Sequence, residues 1–204
     1  MPQIAEEFLS FLAGRRSTRR YEPRAIDKNL LELIVEAALW APSAHNRQPW
    51  RLVVMTNPGE KLQLAQKMAD RLRQERLTDG DGRDEVEADV SRSIKRLQQA
   101  SALIVVFLTM EGMDEYPDER RTALEYTMAV QSTAMAGQNM LLMAHKLGLG
   151  ACWICAPLFA GHETASVLGC PSEWKPQGLI TLGWPEGVPA VRERKSKDEV
   201  ARWI

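Results

Sequence analysis

Residues 102–109 read "ALIVVFLT", and all but Thr109 are apolar. Successive side chains of a strand point to opposite faces, so this strand has no face to give to water. The chain must therefore build a sheet covered by helices on both sides. The helices are legible. "KNLLELIVEAALW" (28–40) sets Leu30, Ile34, Ala37 and Ala38 at helical spacing, with Asp27 at the N-cap position and Pro42 past the end. Residues 3–13, 59–77 and 85–99 read as further helices, and Lys197–Ile204 as a closing one. Arg51–Thr56, Ala151–Ala156 and Leu179–Gly183 read as further strands. Helices and strands interleave, which gives an α/β or α+β class with one central sheet.

The longest periodic run, Glu119–Leu147, predicts a helix of about seven to eight turns ending at Gly148. Small residues occupy most of its circumference, the mark of a buried helix. Within 204 residues such a helix is most easily buried if a second subunit covers one side, so a homodimer is expected. The formal net charge of −1 excludes a bulk electrostatic surface for nucleic acid or membrane. No apolar run approaches the ~18 residues of a membrane span. Glu6 and Glu7 replace the cationic start of a secretory signal. Three cysteines, an odd number, argue against a disulfide framework, and a reducing cytoplasm is the expected setting. Residues 1–204 read as one domain carrying a charged helical insertion at about 68–99. That insertion is either a lid or substrate-charge reader near a site mouth, or simply a solvated helical pair. Six tryptophans and nine methionines are core filler, or they line a planar-ligand pocket or a large interface.

Several chemistries are excluded residue by residue. Cys152 and Cys155 form C-x-x-C without a second pair, and His45, His145 and His162 share no ligand spacing, so no metal site is expected. On a strand the two cysteines would face opposite sides, and both are expected to be buried structural residues. "DGDGRD" places Asp84 where a calcium loop needs glycine and Val90 where it needs glutamate. "GLGACW" has Trp153 where a dinucleotide fingerprint needs its third glycine. Two anion-binding candidates stand out. "GRRSTRRY" (Gly14–Tyr21) gathers four arginines with Ser17 and Thr18, and "VRERKSK" adds Arg192, Arg194 and Lys195. Guanidinium forks bind phosphate bidentately and a hydroxyl adds a short hydrogen bond. A third stretch, "APSAHNRQPW" (Ala41–Trp50), crowds polar groups into a helix-to-strand junction.

In chain order, Arg15-Arg16-Ser17…Tyr21, Ala41–Trp50, Gly148–Trp153, Gly183-Trp184-Pro185, then Arg194-Lys195 and Glu199 resemble the nitroreductase family of flavin enzymes over nearly the whole chain. Residues 116–159 and 170–185 are also similar to the flavin-binding C-terminal domain of the enzyme that builds the deazaflavin coenzyme's glutamate tail. The resemblance implies an α+β three-layer sandwich, with a mostly antiparallel central sheet flanked by helices and the long helix at a dimer interface. It implies FMN between two subunits. Arg15, Ser17 and Arg194 would hold its phosphate, and Arg16 would sit at the pyrimidine edge and tune the flavin. Pro42, Ser43, Asn46 and Gln48 of the other subunit would meet the ring and ribityl chain. The backbone of Cys152, Trp153 and Ile154 would run along the opposite face. The implied reaction is ping-pong hydride transfer from NAD(P)H through FMN to a nitroaromatic, quinone or enone-like acceptor. No side chain of the enzyme would act as catalyst, His45 included. The alternatives are a reductase linked to the deazaflavin coenzyme and a flavin-binding module without turnover.

Overall fold

In the computed structural model, which describes residues 2–187 and 189–204, the apolar run forms β2 (Ala102–Leu108), buried at every position. It pairs antiparallel with β1 (Trp50–Met55) on one side and β4 (Lys175–Gly183) on the other, and β3 (Gly150–Ile154) pairs antiparallel with β4. The order is β1-β2-β4-β3, so β3 is an edge strand. Alternation along β2 then builds two cores. Ala102, Ile104 and Val106 pack with Ile34 and Ala38 of α2 (Lys28–Leu39) and with Ala136, Met140 and Ala144 of α5 (Glu119–Lys146). Leu103, Val105 and Phe107 pack on the other side with Leu64 and Met68 of α3 (Pro58–Thr78) and Leu97 of α4 (Arg83–Gln99). This is the three-layer α+β sandwich, with a sheet that is antiparallel throughout. Each large side chain buried in it contributes about 1.5–3 kcal/mol. Helix α1 (Pro2–Gly14) buries no residue of its own.

The boundaries differ from the expected ones for local reasons. Asp27 holds the N-cap position of α2 but makes no side-chain cap bond; Asn57 and Asp118 do cap α3 and α5 with their side chains. Helix α5 closes as a Schellman turn: Gly148 has φ 75°, its N–H donates to the His145 carbonyl at 3.1 Å, and the Leu149 N–H donates to the Ala144 carbonyl at 2.9 Å. Strand β3 stops at Ile154 rather than Ala156, because Pro157 opens a short helix α6 (Ala156–Phe159) with Cys155 at its N-cap. Cys155 is therefore exposed and outside the strand, whereas Cys152 is buried within it. Helix α7 (Gly161–Val167) follows directly. Strand β4 starts at Lys175, four residues before the expected Leu179; a register shift at Val106/Phe107 accommodates Pro176, which has no N–H to donate. The last helix, α8, is only Lys197–Val200, fixed by a capping box between Ser196 and Glu199.

The charged segment at 68–99 is the distal half of α3, a turn, and α4. Its guanidinium groups are largely consumed internally: Arg73 pairs with Asp70 and Glu87, and Arg76 with Asp81, Glu85 and Asp89. Ala69, Val86 and Val90 form a small core between the two helices. Helix α5 buries one side, while Leu124 and Met135 on the other are 51% and 39% exposed. An apolar groove of about 620 Å³ runs beside it, lined by Phe8 and Phe11 of α1, Trp40, Leu142 and Met143. A single chain thus leaves part of this helix uncovered.

Candidate functional site

The segment after α1 is sewn to the sheet edge. Ser17 forms a parallel bridge with Ala151 of β3, and the Thr18 N–H donates to the Ala151 carbonyl at 2.9 Å. Tyr21 bridges Pro185, and the Glu22 N–H donates to the Trp184 carbonyl at 2.8 Å. The buried Tyr21 hydroxyl donates to the Thr18 carbonyl at 2.6 Å and lies 2.7 Å from Thr181 Oγ1. Burial pushes that hydroxyl above the ordinary phenol range, so it stays protonated. The approach is close enough to require glycine: a Cβ on Gly150 would lie 2.6 Å from the Thr18 methyl, and one on Gly183 would lie 2.6 Å from the Tyr21 ring.

This stitching holds Arg15, Arg16, Ser17 and Arg19 on one wall of a hollow of about 300 Å³; Arg192 and Arg194, with Pro189 and Ala190, form the other. Among the described residues no carboxylate lines it. Guanidinium groups gathered without an acid repel one another unless an anion sits among them, and their forks match a phosphate. The expected trio of Arg15, Ser17 and Arg194 is therefore brought together. Arg16 joins it, but its guanidinium donates back to the carbonyls of Ala13 and Arg15, closing the end of α1. Arg19, from the first arginine cluster, and Arg192, from the second, also line the hollow, although the resemblance gives neither a role. Spacing gives the signal for Arg192: in an extended segment residues two apart share a side, so it lies beside Arg194.

The 42–48 stretch is a different kind of structure. A 3-10 turn spans Ala44–Asn46, and His45, Asn46 and Gln48 have φ of 50°, 54° and 50°. Left-handed backbone costs a non-glycine residue about 1–2 kcal/mol, and strain of this kind collects at binding sites. The turn is held by the Gln48 N–H donating to Ser43 Oγ at 3.0 Å, by Gln48 Nε2 donating to Asn46 Oδ1 at 3.3 Å, and by the Ala44 N–H donating to Ser132 Oγ at 3.3 Å. Arg47 pairs with Asp114, whose own N–H donates to the fully buried carboxylate of Glu125 at 3.2 Å. Pro42, Asn46 and Gln48 are exposed and Ser43 half-buried, and none of the four lines the arginine hollow. Within one chain these two groups of residues do not share that cavity.

On β3, Cys152 is buried and Trp153 and Ile154 are half-buried. The Trp153 indole lies in a slot between Gly137 of α5 and Gly178 of β4, where a Cβ on either would fall 2.5 Å from the ring. Its side chain is thus committed to the core, and its backbone lies on the strand that carries the Ser17 bridge. His45 is exposed, and His145 stacks on Phe11 at 5.1 Å between ring centroids.

Comparison with known proteins follows the same outline. A family profile described as "Nitroreductase family" matches residues 12–184. An Archaeoglobus fulgidus protein, provisionally named NADH dehydrogenase/NAD(P)H nitroreductase, is 31% identical over 185 residues, covering 89% of this chain and 87% of that one. An NADH dehydrogenase of Thermus thermophilus is 29% identical over 204 residues, covering 87% of each. Among solved structures, a BluB-like flavoprotein from Clostridium difficile superposes with a TM-score of 0.80 at 25% identity, covering 97% of this chain and 98% of that one. A provisionally named nitroreductase from Desulfovibrio desulfuricans, in complex with FMN, superposes with a TM-score of 0.73 at 25% identity and 96% coverage of each.

Proposed function

The chain belongs to the nitroreductase family, and on that premise we propose that it is an FMN-dependent NAD(P)H oxidoreductase acting on small electron-poor acceptors such as nitroaromatics, quinones or enone-like compounds. The observation that carries the reading is the acid-free arginine hollow built against the edge strand. It fits the FMN phosphate in charge and donor chemistry: Arg15, Arg192 and Arg194 supply charged forks and Ser17 a hydroxyl. FMN held there would supply the redox chemistry, which we propose is a ping-pong transfer of hydride equivalents from NAD(P)H to the acceptor.

The protein's residues then have three tasks. The hollow holds the phosphate end. The β3 backbone at Cys152–Ile154 would lie along the ring and exclude water from it. A cation at the pyrimidine edge offsets negative charge gained on reduction and so raises the reduction potential. Arg16 is the residue expected there; its guanidinium donates to two backbone carbonyls whereas that of Arg19 makes one long contact, 3.5 Å to the Ser17 carbonyl, which favours Arg19 for the same task. No general acid or base is needed at this stage, and a proton for the acceptor comes from water.

Pro42, Ser43, Asn46 and Gln48 complete the site from a second copy of the chain. Their strained, exposed turn, the open side of α5 and the apolar groove beside it all support a homodimer. Among the described residues no helix is long and apolar enough to cross a membrane, and we place the enzyme in the cytoplasm, where NAD(P)H is supplied.

The test is direct. Purified protein should be yellow and hold one FMN per chain; colourless protein that takes up no added FMN refutes the reading. Anaerobic mixing with NADH, NADPH and a reduced deazaflavin identifies the donor. Bleaching by the deazaflavin alone would assign the enzyme to that coenzyme, and bleaching by none would make it a flavin-binding module.

A further inference from the structure

A second basic hollow, of about 570 Å³, adjoins the first and shares Arg19 with it. Arg19 and Arg20 form one wall. The other is a face of α4 on which Arg92, Lys95, Arg96 and Gln99 follow at i, i+3, i+4 and i+7. Those spacings place all four on one side of the helix, where like charges at i, i+4 destabilise it. Elsewhere in the α3–α4 hairpin Arg71, Arg73 and Arg76 are each ion-paired. Here Arg92 reaches Asp89, but among the described residues Arg19, Arg20, Lys95 and Arg96 have no ion-pair partner. Among the described residues Glu186 is the one carboxylate that lines this hollow.

The walls are fixed independently of any ligand. Val90 and Leu97 anchor α4 in two cores, and the Arg20 carbonyl accepts the Glu186 N–H at 3.1 Å. Five cations, an amide donor and a single acid, held on rigid backbone, select a compact ligand with several negative charges. We propose that this hollow is a second anion site that takes a diphosphate group, distinct from the place of the FMN phosphate. The group comes either from the dinucleotide that donates hydride or from a free phosphorylated ligand. The site itself goes beyond the oxidoreductase reading and does not depend on it.

The experiment uses FMN-loaded protein, so that the first hollow is filled, and titrates inorganic diphosphate by calorimetry. One saturable site per chain is expected, weakening as salt is raised. The variant Lys95→Ala/Arg96→Ala keeps good helix formers in α4. It should retain its FMN and bind diphosphate about tenfold or more weakly, since it loses two charged donors. Lys95→Glu/Arg96→Glu should abolish binding. Absence of saturable binding to wild type, or equal binding to wild type and the alanine variant, would overturn the proposal.

Two reductants then identify the source. If the alanine variant raises KM for NADPH about fivefold or more but leaves a phosphate-free N-alkyl dihydronicotinamide unaffected, the diphosphate belongs to the hydride donor. If diphosphate binding weakens while both KM values hold, the site serves a free phosphorylated ligand. Should neither nicotinamide reduce the flavin, the oxidoreductase reading fails and the calorimetry still decides the site.

Discussion

Replacing Tyr21 with Phe removes one oxygen and tests how the cofactor segment is held. That oxygen donates to the Thr18 carbonyl at 2.6 Å and meets Thr181 Oγ1 at 2.7 Å, inside the protein. Thr181 keeps a 3.4 Å bond to the Cys152 carbonyl, but the Thr18 carbonyl loses its side-chain partner. One or two neutral bonds and a stranded acceptor amount to about 1–3 kcal/mol of stability, or about 2–12 °C in Tm for a chain of this size. Thr18 lies between Ser17 and Arg19 on the hollow wall, so FMN binding should weaken roughly three- to tenfold. The pH dependence separates this role from mere packing. Burial raises the folded-state pKa of Tyr21 above that of the unfolded chain. The stabilisation is therefore complete below about pH 10 and declines above it, because only the unfolded chain releases the proton. At pH 11 the wild type should have lost about 1.4 kcal/mol that the Phe variant never had. Urea denaturation of both proteins between pH 8 and 11 measures it. The gap between the two should narrow as pH rises; parallel curves would mean that the hydroxyl is not held as described.

Removing both phosphate forks, Arg15→Ala/Arg194→Ala, should weaken FMN about a hundredfold or more without unfolding the protein, read by quenching of flavin fluorescence; unchanged affinity would move the phosphate elsewhere. Arg19→Ala should lower the potential of bound FMN more than Arg16→Ala does, measured by dye-coupled reduction, and the reverse order would restore Arg16 to the pyrimidine edge. His45→Gly should relieve left-handed strain and stabilise the chain by up to about 1 kcal/mol while leaving turnover intact; lost activity would give His45 a role. Met135→Glu, on the open side of α5, should shift the protein towards monomer in light scattering and lower its flavin content together; a dimeric, yellow variant would place the interface elsewhere.

The parts of the fold visible in the sequence are those with an unbroken period. Strand β2 and helices α2 and α5 were readable to within a residue or two because burial repeats along them. Where one residue redirects the chain, the pattern misleads: Pro157 ends β3 two residues early and opens α6. The arginine-serine cluster was legible as chemistry but not as geometry. Four arginines in six residues look alike, and only the Ser17–Ala151 bridge decides which of them face the hollow. The second basic hollow joins residues 19–20 to residues 92–99, and no local motif records that meeting. The strain in the 45–48 turn was only partly legible: His and Asn are enriched at positive φ, but Gln is not and no glycine marks the turn.

These hidden features share a property. A fold tends to satisfy its own groups, and local conflicts left standing gather where something else must fit. Here the conflicts fall in separate places on one chain: arginines without acids beside β3, three left-handed residues before β1, and large apolar side chains exposed along α1, α2 and α5. A flavin phosphate would answer only the first. On the proposed homodimer, a second copy of the chain would answer the third, and by bringing its own turn to a flavin it would answer the second as well. The three conflicts therefore predict a joint result that no single-site defect produces. Mixing Arg15→Ala/Arg194→Ala chains with Asn46→Ala chains should restore one competent site per mixed dimer, because one site then receives both intact halves. If each variant is inactive alone and their mixture stays inactive after subunit exchange, the site is not shared between chains.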